Sequence, residues 1–177
     1  FSQVWKVKVT PKVTFLIWRI ICNTLPTLEN LIRRRVLPES VDSSCPFWHL
    51  NLESVSHIFF SCHEVYGIWK ECFYWFGTHT VLPNDPTLHF NQIPYSLAFE
   101  VEKQRWKVVW CANTWCIWRY RNNCVFNGNA LDKEKLKEDT LFTSWSWLIS
   151  SQLLVDYSFN QWVVNPGACL SSSCARG

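Results

Sequence analysis

Apolar residues recur every three to four positions in the first third of the chain and predict two short helices. Thr10 and Pro11 are a helix start, with Thr as N-cap and Pro at the first helical position. The apolar run behind them is broken at residues 23–27, where Thr27 can cap a second helix over residues 28–35. The pattern therefore predicts a helical hairpin.

A second patterned segment, residues 45–62, follows a mostly polar connector. Ser54 is placed to cap a helical turn within it. From about Glu64 to Phe76 the apolar residues again share one helical face, and Gly77 is a suitable C-cap. We therefore expect a small helical domain over residues 1–77.

Three prolines and little periodicity mark residues 78–95 as a linker loop and as the boundary between two parts. The segment from about Leu97 to Val125 carries tryptophans on more than one helical face, which indicates a helix sandwiched in a core or facing a partner. A last helix begins near Asp132, and a partly apolar tail follows it. The predicted fold class is mainly α: a small helical domain at 1–77, then a two-helix, aromatic-rich region at 96–177.

Composition supports a globular chain. It holds 12 Trp and 12 Phe, and only 18% of its 177 residues are charged, which excludes a disordered linker. Its nine Cys are odd in number and scattered, which favours reduced thiols over a disulfide framework. No Met occurs and the chain opens in mid-pattern, so we expect a fragment of a longer protein.

Hydrophobic runs are too short for a membrane segment. The longest, Val13 to Trp18, is far below the roughly 20 residues that a spanning helix needs. Lysines at positions 6, 8 and 12 interrupt any signal-peptide core. We expect a soluble intracellular protein without a membrane partner, and leave nucleus or cytoplasm open.

Charge is divided unevenly along the chain. Residues 1–38 hold seven Lys and Arg against the single acid Glu29, a net charge of +6, whereas the rest of the chain has a net charge of −3. A polyanion would therefore meet the N-terminal third first.

The segment CPFWHLNLESVSHIFFSC, residues 45–62, has the spacing of a zinc knuckle. Cys45, His57 and Cys62 supply three thiolate or imidazole ligands, but Trp48 stands where a Cys-x2-Cys pair needs its second thiol. His49 is the better candidate for the fourth ligand, because His63 adjoins Cys62 and would point elsewhere on a helix. The alternative is a decayed site in which Trp48 fills the space and the thiols are inert.

Two basic segments are candidates for nucleic-acid contact. Phosphates could be met by five cations: Lys8, Lys12, Arg33, Arg34 and Arg35. The alternative for the arginine run is a solvated helix end, where cations complement the helix dipole. In WCIWRYRNN, residues 115–123, Arg119 and Arg121 stand among aromatic rings; base stacking is one interpretation, but we favour a core role with the arginines reaching solvent.

Motifs of catalysis are missing from the sequence. It has no Gly-rich phosphate loop, no His-Glu-x-x-His, no Gly-x-Ser-x-Gly and no Tyr-x-Asp-Asp polymerase signature. We therefore expect that the chain is not an enzyme.

Taken together, three segments resemble the zinc-binding domain C-terminal to the reverse transcriptase of plant LINE-type (non-LTR) retrotransposons. They are VWKVKVTPKVTFLIWRIICNTLPTLENLIRRRV (Val4 to Val36), ESVSHIFFSC (Glu53 to Cys62) and WCIWRYRNNCVF (Trp115 to Phe126). By this resemblance Cys45, His57 and Cys62 match zinc-ligand positions, and the remaining Cys position falls at or near Trp48.

The resemblance implies an accessory role beside an upstream polymerase domain, holding RNA template or target DNA. Our first hypothesis is thus a non-catalytic, zinc-binding, nucleic-acid-binding module whose partners are RNA or DNA and the reverse transcriptase domain. The rival hypothesis is a metal-free helical interaction module, the remnant of a retrotransposon. Salt dependence of binding distinguishes the two, because only phosphate contacts weaken steeply with ionic strength.

Overall fold

A computed structural model describes residues 3–154 and 157–171, and the mainly α prediction is confirmed for them. They contain no β-strand longer than a single bridge. The helices, after a short 3-10 turn at Val4–Lys6, are α1 (Pro11–Ile21), α2 (Leu28–Arg33), α3 (His63–Tyr74), α4 (Pro86–Asn91), α5 (Glu100–Asn127), α6 (Lys133–Ser150), α7 (Phe159–Val164) and α8 (Pro166–Ser171). None of these helices is both long enough and apolar enough to cross a bilayer.

Helix starts follow the sequence signals closely. Thr10 and Pro11 begin α1 as predicted. The Thr27 side chain accepts a hydrogen bond from the backbone N–H of Asn30 at 3.4 Å, and Asp132 accepts from Lys135 N–H at 3.0 Å. These caps satisfy N–H groups that the first helical turn leaves without partners.

Between α2 and α3 the chain forms a tight hairpin and then a π-helical turn, His57–Ser61. The hairpin is closed by an antiparallel bridge between Ser44 and Leu52, and Cys45 N–H donates to Asn51 O at 2.6 Å. Ser54 caps the turn, because its hydroxyl accepts from His57 N–H at 3.0 Å. Residues 45–62 therefore form a hairpin that leads directly into the π-helical turn.

The predicted linker loop, residues 78–95, contains the short helix α4, which the sequence analysis missed. Asp85 caps α4 through a 2.8 Å hydrogen bond from Leu88 N–H, and His89 and Phe90 are buried. Buried side chains from both sides of this segment belong to one hydrophobic cluster. The division into residues 1–77 and 96–177 stays a prediction.

Helices α5 and α6 pack along each other and form the C-terminal region. As its wide apolar arc predicts, α5 is buried on more than one face, with Trp106 and Trp110 fully enclosed. The tail beyond α6 adds α7 and α8, which the sequence did not predict. Gly167 in α8 lies against the backbone of Trp75, where a Cβ atom would come within 1.9 Å of the carbonyl oxygen.

His89 lies at the centre of an aromatic cluster. Its ring centroid is 4.5 Å from that of Phe60 and 4.6 Å from that of Trp69, and its Nδ1 accepts a 3.0 Å hydrogen bond from Trp110 Nε1–H. Burial lowers the pKa of His89 from 6.5 to about 4. A proton on Nδ1 would also face the indole N–H, so the folded protein holds this imidazole neutral.

We predict that His89 makes the fold less stable in acid. Between pH 6.5 and pH 4 the unfolded chain binds a proton that the folded chain excludes, so stability falls as pH falls. The loss reaches about 3 kcal/mol at pH 4, at roughly 1.4 kcal/mol per pKa unit. Urea unfolding across this range should show it in the wild type and in His79→Gln, whose histidine is exposed. His89→Gln should flatten the profile; an unchanged slope in this variant would rule out His89 as the cause.

Candidate metal centre

Three predicted ligands come together in one buried group. The ligand atoms of Cys45, His57 and Cys62 all lie within 4.8 Å of one another. Cys45 comes from the hairpin, His57 opens the π-helical turn, and Cys62 directly precedes α3. Cys62 N–H donates to His57 O at 2.8 Å, an i to i−5 bond. This π-type bond brings residues five apart onto the same side of the turn, which explains how the His-x4-Cys spacing forms a site.

The hydrogen bond between the two thiols shifts their pKa values in opposite directions, down for Cys45 and up for Cys62. The hydrogen bond from the Cys62 thiol lowers the pKa of Cys45, with further help from His57 and from the N–H groups of Phe47 and Trp48, while burial opposes the shift. The hydrogen bond with Cys45 and burial raise the pKa of Cys62. Hydrogen bonds from the backbone N–H groups of Glu64 and Val65, in the first turn of α3, oppose this rise. The two sulfurs share a proton that a bound metal ion would replace, because zinc binds cysteine as thiolate.

The two sulfurs are close but not bonded. Cys45 Sγ and Cys62 Sγ are 3.8 Å apart, whereas a disulfide requires about 2.05 Å. The other cysteines within the described ranges are also free. The expectation of reduced thiols is met in this part of the chain.

His57 is the third member of the group and carries an unsatisfied nitrogen. The residue is only 8% exposed, and its Nε2 has no hydrogen-bond partner among the residues that the structure describes. A buried polar atom without a partner is costly. A metal ion beside the two thiols would satisfy it, and an imidazole with two thiolates is a donor set typical of Zn²⁺. The residues present therefore fit zinc.

The fourth position is not filled by either predicted histidine. His49 is exposed, with a backbone φ of 58°, and the structure does not place it in the group. His63 stacks against Trp48 with ring centroids 4.6 Å apart and contacts Glu64 through Nδ1 at 3.3 Å. His63 is exposed and is not part of the buried group. Among the described residues the group therefore offers three ligands, which leaves one coordination position of a tetrahedral ion open.

A buried ion pair fastens the hairpin to α5, and the sequence analysis did not find it. Arg121 donates to both carboxylate oxygens of Glu53, from Nε at 2.6 Å and from Nη2 at 3.0 Å. Glu53 is 0% and Arg121 3% exposed. Burial raises the pKa of Glu53 and Arg121 opposes that rise. The available signal was Glu53 itself, an acid between the buried Cys45 and His57, but its partner is 68 residues away.

The predicted phosphate-binding residues are all exposed, in three places. Arg33, Arg34 and Arg35 lie at the end of α2, where Arg33 and Arg34 also donate to the carbonyl oxygens of Asn23 and Thr24, at 3.3 and 3.1 Å. Lys12 lies on α1 with its ammonium 5.6 Å from the ring centroid of Trp115. Lys8 lies beside Trp147 of α6. Their role in binding phosphates stays a prediction.

Comparison with known proteins supports the metal centre. Residues 1–69 match the model of the family described as zinc-binding in reverse transcriptase. No curated protein and no solved structure matches the chain. The match includes all three residues of the buried group, so the resemblance seen in the sequence is confirmed for residues 1–69. For the remainder of the chain, and for the type of retrotransposon, it stays a prediction.

The Glu53 and Arg121 pair gives a prediction about stability. Arg121→Met leaves a buried carboxylate without its partner and should lower the free energy of unfolding by about 3 to 5 kcal/mol. Adding Glu53→Leu removes the unpaired charge, so the double variant should be more stable than Arg121→Met alone. Urea unfolding of the four proteins of this double-mutant cycle measures the coupling. A double variant whose loss equals the sum of the two single losses would mean that the two side chains do not depend on each other.

Restoring the missing thiol should strengthen metal binding. Trp48→Cys creates a Cys-x2-Cys pair beginning at Cys45 and a fourth zinc ligand. We expect zinc affinity, measured by competition with a chromophoric chelator, to rise by tenfold or more. Trp48→Ser is the matched control, because it removes the indole without adding a thiol. Equal affinities in the Cys and Ser variants would show that position 48 does not face the metal.

Proposed function

We propose that the chain is a zinc-binding, non-catalytic accessory module that holds nucleic acid for a reverse transcriptase. The observation that carries the proposal is the buried group of Cys45, His57 and Cys62 inside the segment that matches zinc-binding in reverse transcriptase. An upstream polymerase domain as partner is part of the proposal.

Zinc would supply a structural cross-link in this role. Its ligands come from the hairpin, the π-helical turn and the residue directly before α3. The hairpin in turn holds α2, because Glu29 N–H donates to Glu53 O at 3.3 Å. Fixing the hairpin therefore fixes the helix that ends in the arginines.

The exposed cations supply the proposed nucleic-acid contact. Arg33, Arg34 and Arg35 are exposed at the end of α2, and residues 1–38 carry a net charge of +6. Arginine forms bidentate contacts with phosphate oxygens. Binding through such contacts is electrostatic and does not depend on base sequence.

A non-catalytic role agrees with the burial of the ligands. Cys45 and Cys62 are 0% exposed and His57 is 8% exposed. Catalytic zinc must present its open position to a substrate, and this group is enclosed by the hairpin and α3. We therefore assign the metal to folding and no chemical step to the chain.

One experiment tests both halves of the proposal. Zinc content of the purified protein should be close to one equivalent, retained in Cys22→Ser and lost in Cys62→Ser. Fluorescence anisotropy with labelled RNA and DNA should show affinity that falls steeply with salt. Changing Arg33, Arg34 and Arg35 together to Gln should reduce the slope of log K against log salt, by about 0.7 to 0.9 for each lost phosphate contact.

The matched control removes the same charge elsewhere: Lys70, Lys103 and Lys135, all changed to Gln. Equal losses in both triple variants would contradict a site at the end of α2. If the purified protein holds no zinc and binds neither RNA nor DNA, the proposal is overturned in favour of the metal-free interaction module. The presence of Trp48 near the expected position of a Cys ligand favours that alternative.

A further inference from the structure

A groove of about 470 Å³ lies between α1 and α5 and combines cations with aromatic rings. Lys12 and Arg19 of α1 and Arg119 of α5 line it together with Phe15 and Trp115. Its described lining residues include no carboxylate. The groove therefore has a positive charge that no acid in its wall neutralises.

Phe15 and Trp115 both expose part of their side chains in the groove. Phe15 is 52% exposed. One face of its ring stacks on Trp18, with ring centroids 5.4 Å apart, so the other face is open. Trp115 is half-buried, and the Lys12 ammonium lies over its ring. Trp118 is also half-buried, and its ring has two neighbours: the Phe59 ring, with centroids 6.0 Å apart, and the Arg121 guanidinium, 4.9 Å from the centroid.

The groove continues into the basic end of α2. Arg19, on the groove wall, donates from Nη2 to Thr24 O at 2.8 Å, and Arg34 donates to the same oxygen at 3.1 Å. The two guanidinium groups are therefore neighbours. Cations thus follow one another from Arg33 and Arg34 through Arg19 to Lys12 and Arg119.

We propose that this groove binds single-stranded nucleic acid, with unpaired bases stacking on Phe15 and Trp115 and phosphates meeting Lys12, Arg19 and Arg119. The inference rests on the proposed function and extends it, because it names the form of nucleic acid and a second set of contacts. Aromatic faces beside a cationic track are the features with which proteins hold single strands. In a duplex the bases stack on each other, so no base face is free to stack on these rings.

Phe15→Leu is the informative variant, because it keeps the apolar bulk and removes the aromatic face. It should weaken binding of a fluorescein-labelled oligothymidylate or oligouridylate about fivefold or more, since one stacked base contributes roughly 1 to 3 kcal/mol. Binding of a duplex of equal length should not change. Phe15→Tyr should restore single-strand affinity. Arg119→Gln should lower the salt slope for the single strand by about 0.7.

Phe142→Leu on α6 is the matched control, because Phe142 is 54% exposed and Phe15 is 52% exposed. It should bind both probes as the wild type does. Wild-type affinity for the single strands in Phe15→Leu would overturn the groove proposal; if the α2 arginine variant still loses binding, the proposed function stands. A wild type that binds neither single strand nor duplex would overturn both. Different losses with the two labelled strands would show which of DNA and RNA the groove prefers.

Discussion

The buried ion pair of Glu53 and Arg121 is the interaction on which the rest of the arrangement depends. Two charges removed from water stay favourable only while they remain paired, so α5 must keep one position against the hairpin. Glu53 also accepts the Leu28 N–H, which fixes the start of α2, and Arg121 reaches the Pro26 carbonyl at 3.4 Å. One carboxylate thus holds the hairpin, α2 and α5 in a single geometry.

The metal centre is prepared by the same segment. The hairpin that carries Glu53 also carries Cys45, whose pKa is lowered by the hydrogen bond with Cys62 first and, less strongly, by His57 and the N–H groups of Phe47 and Trp48. By the resemblance, a ligand position falls at or near Trp48, and the backbone N–H of Trp48 serves the sulfur of Cys45. Among the described residues, the buried group is therefore one donor short of a closed tetrahedral zinc site.

Local signals in the sequence predicted local structure well. Thr27, Ser54 and Asp132 cap helical turns as their positions indicate, because capping depends on residues three or four apart. The helices α4, α7 and α8 were missed, since six-residue helices gain little from propensity and are stabilised by burial of residues such as His89 and Trp162. Spacing favoured His49 as a ligand, but the structure leaves His49 exposed, with a backbone φ of 58°, and spacing reveals neither property. The pairing of Glu53 with Arg121 is a property of the tertiary fold alone.

These contacts connect the metal centre with the basic surface. On the proposed function, a metal ion restrains the hairpin, and through Glu53 the restraint reaches α2, which ends in the arginines, and α5, which carries Trp115 and Arg119. The other wall of the groove is formed by α1. Arg19 of α1 and Arg34 both donate to the Thr24 carbonyl oxygen, which follows α1. Loss of the metal would therefore weaken the phosphate contacts indirectly. The cations lie on helices whose positions depend on the hairpin, and the hairpin would no longer be restrained.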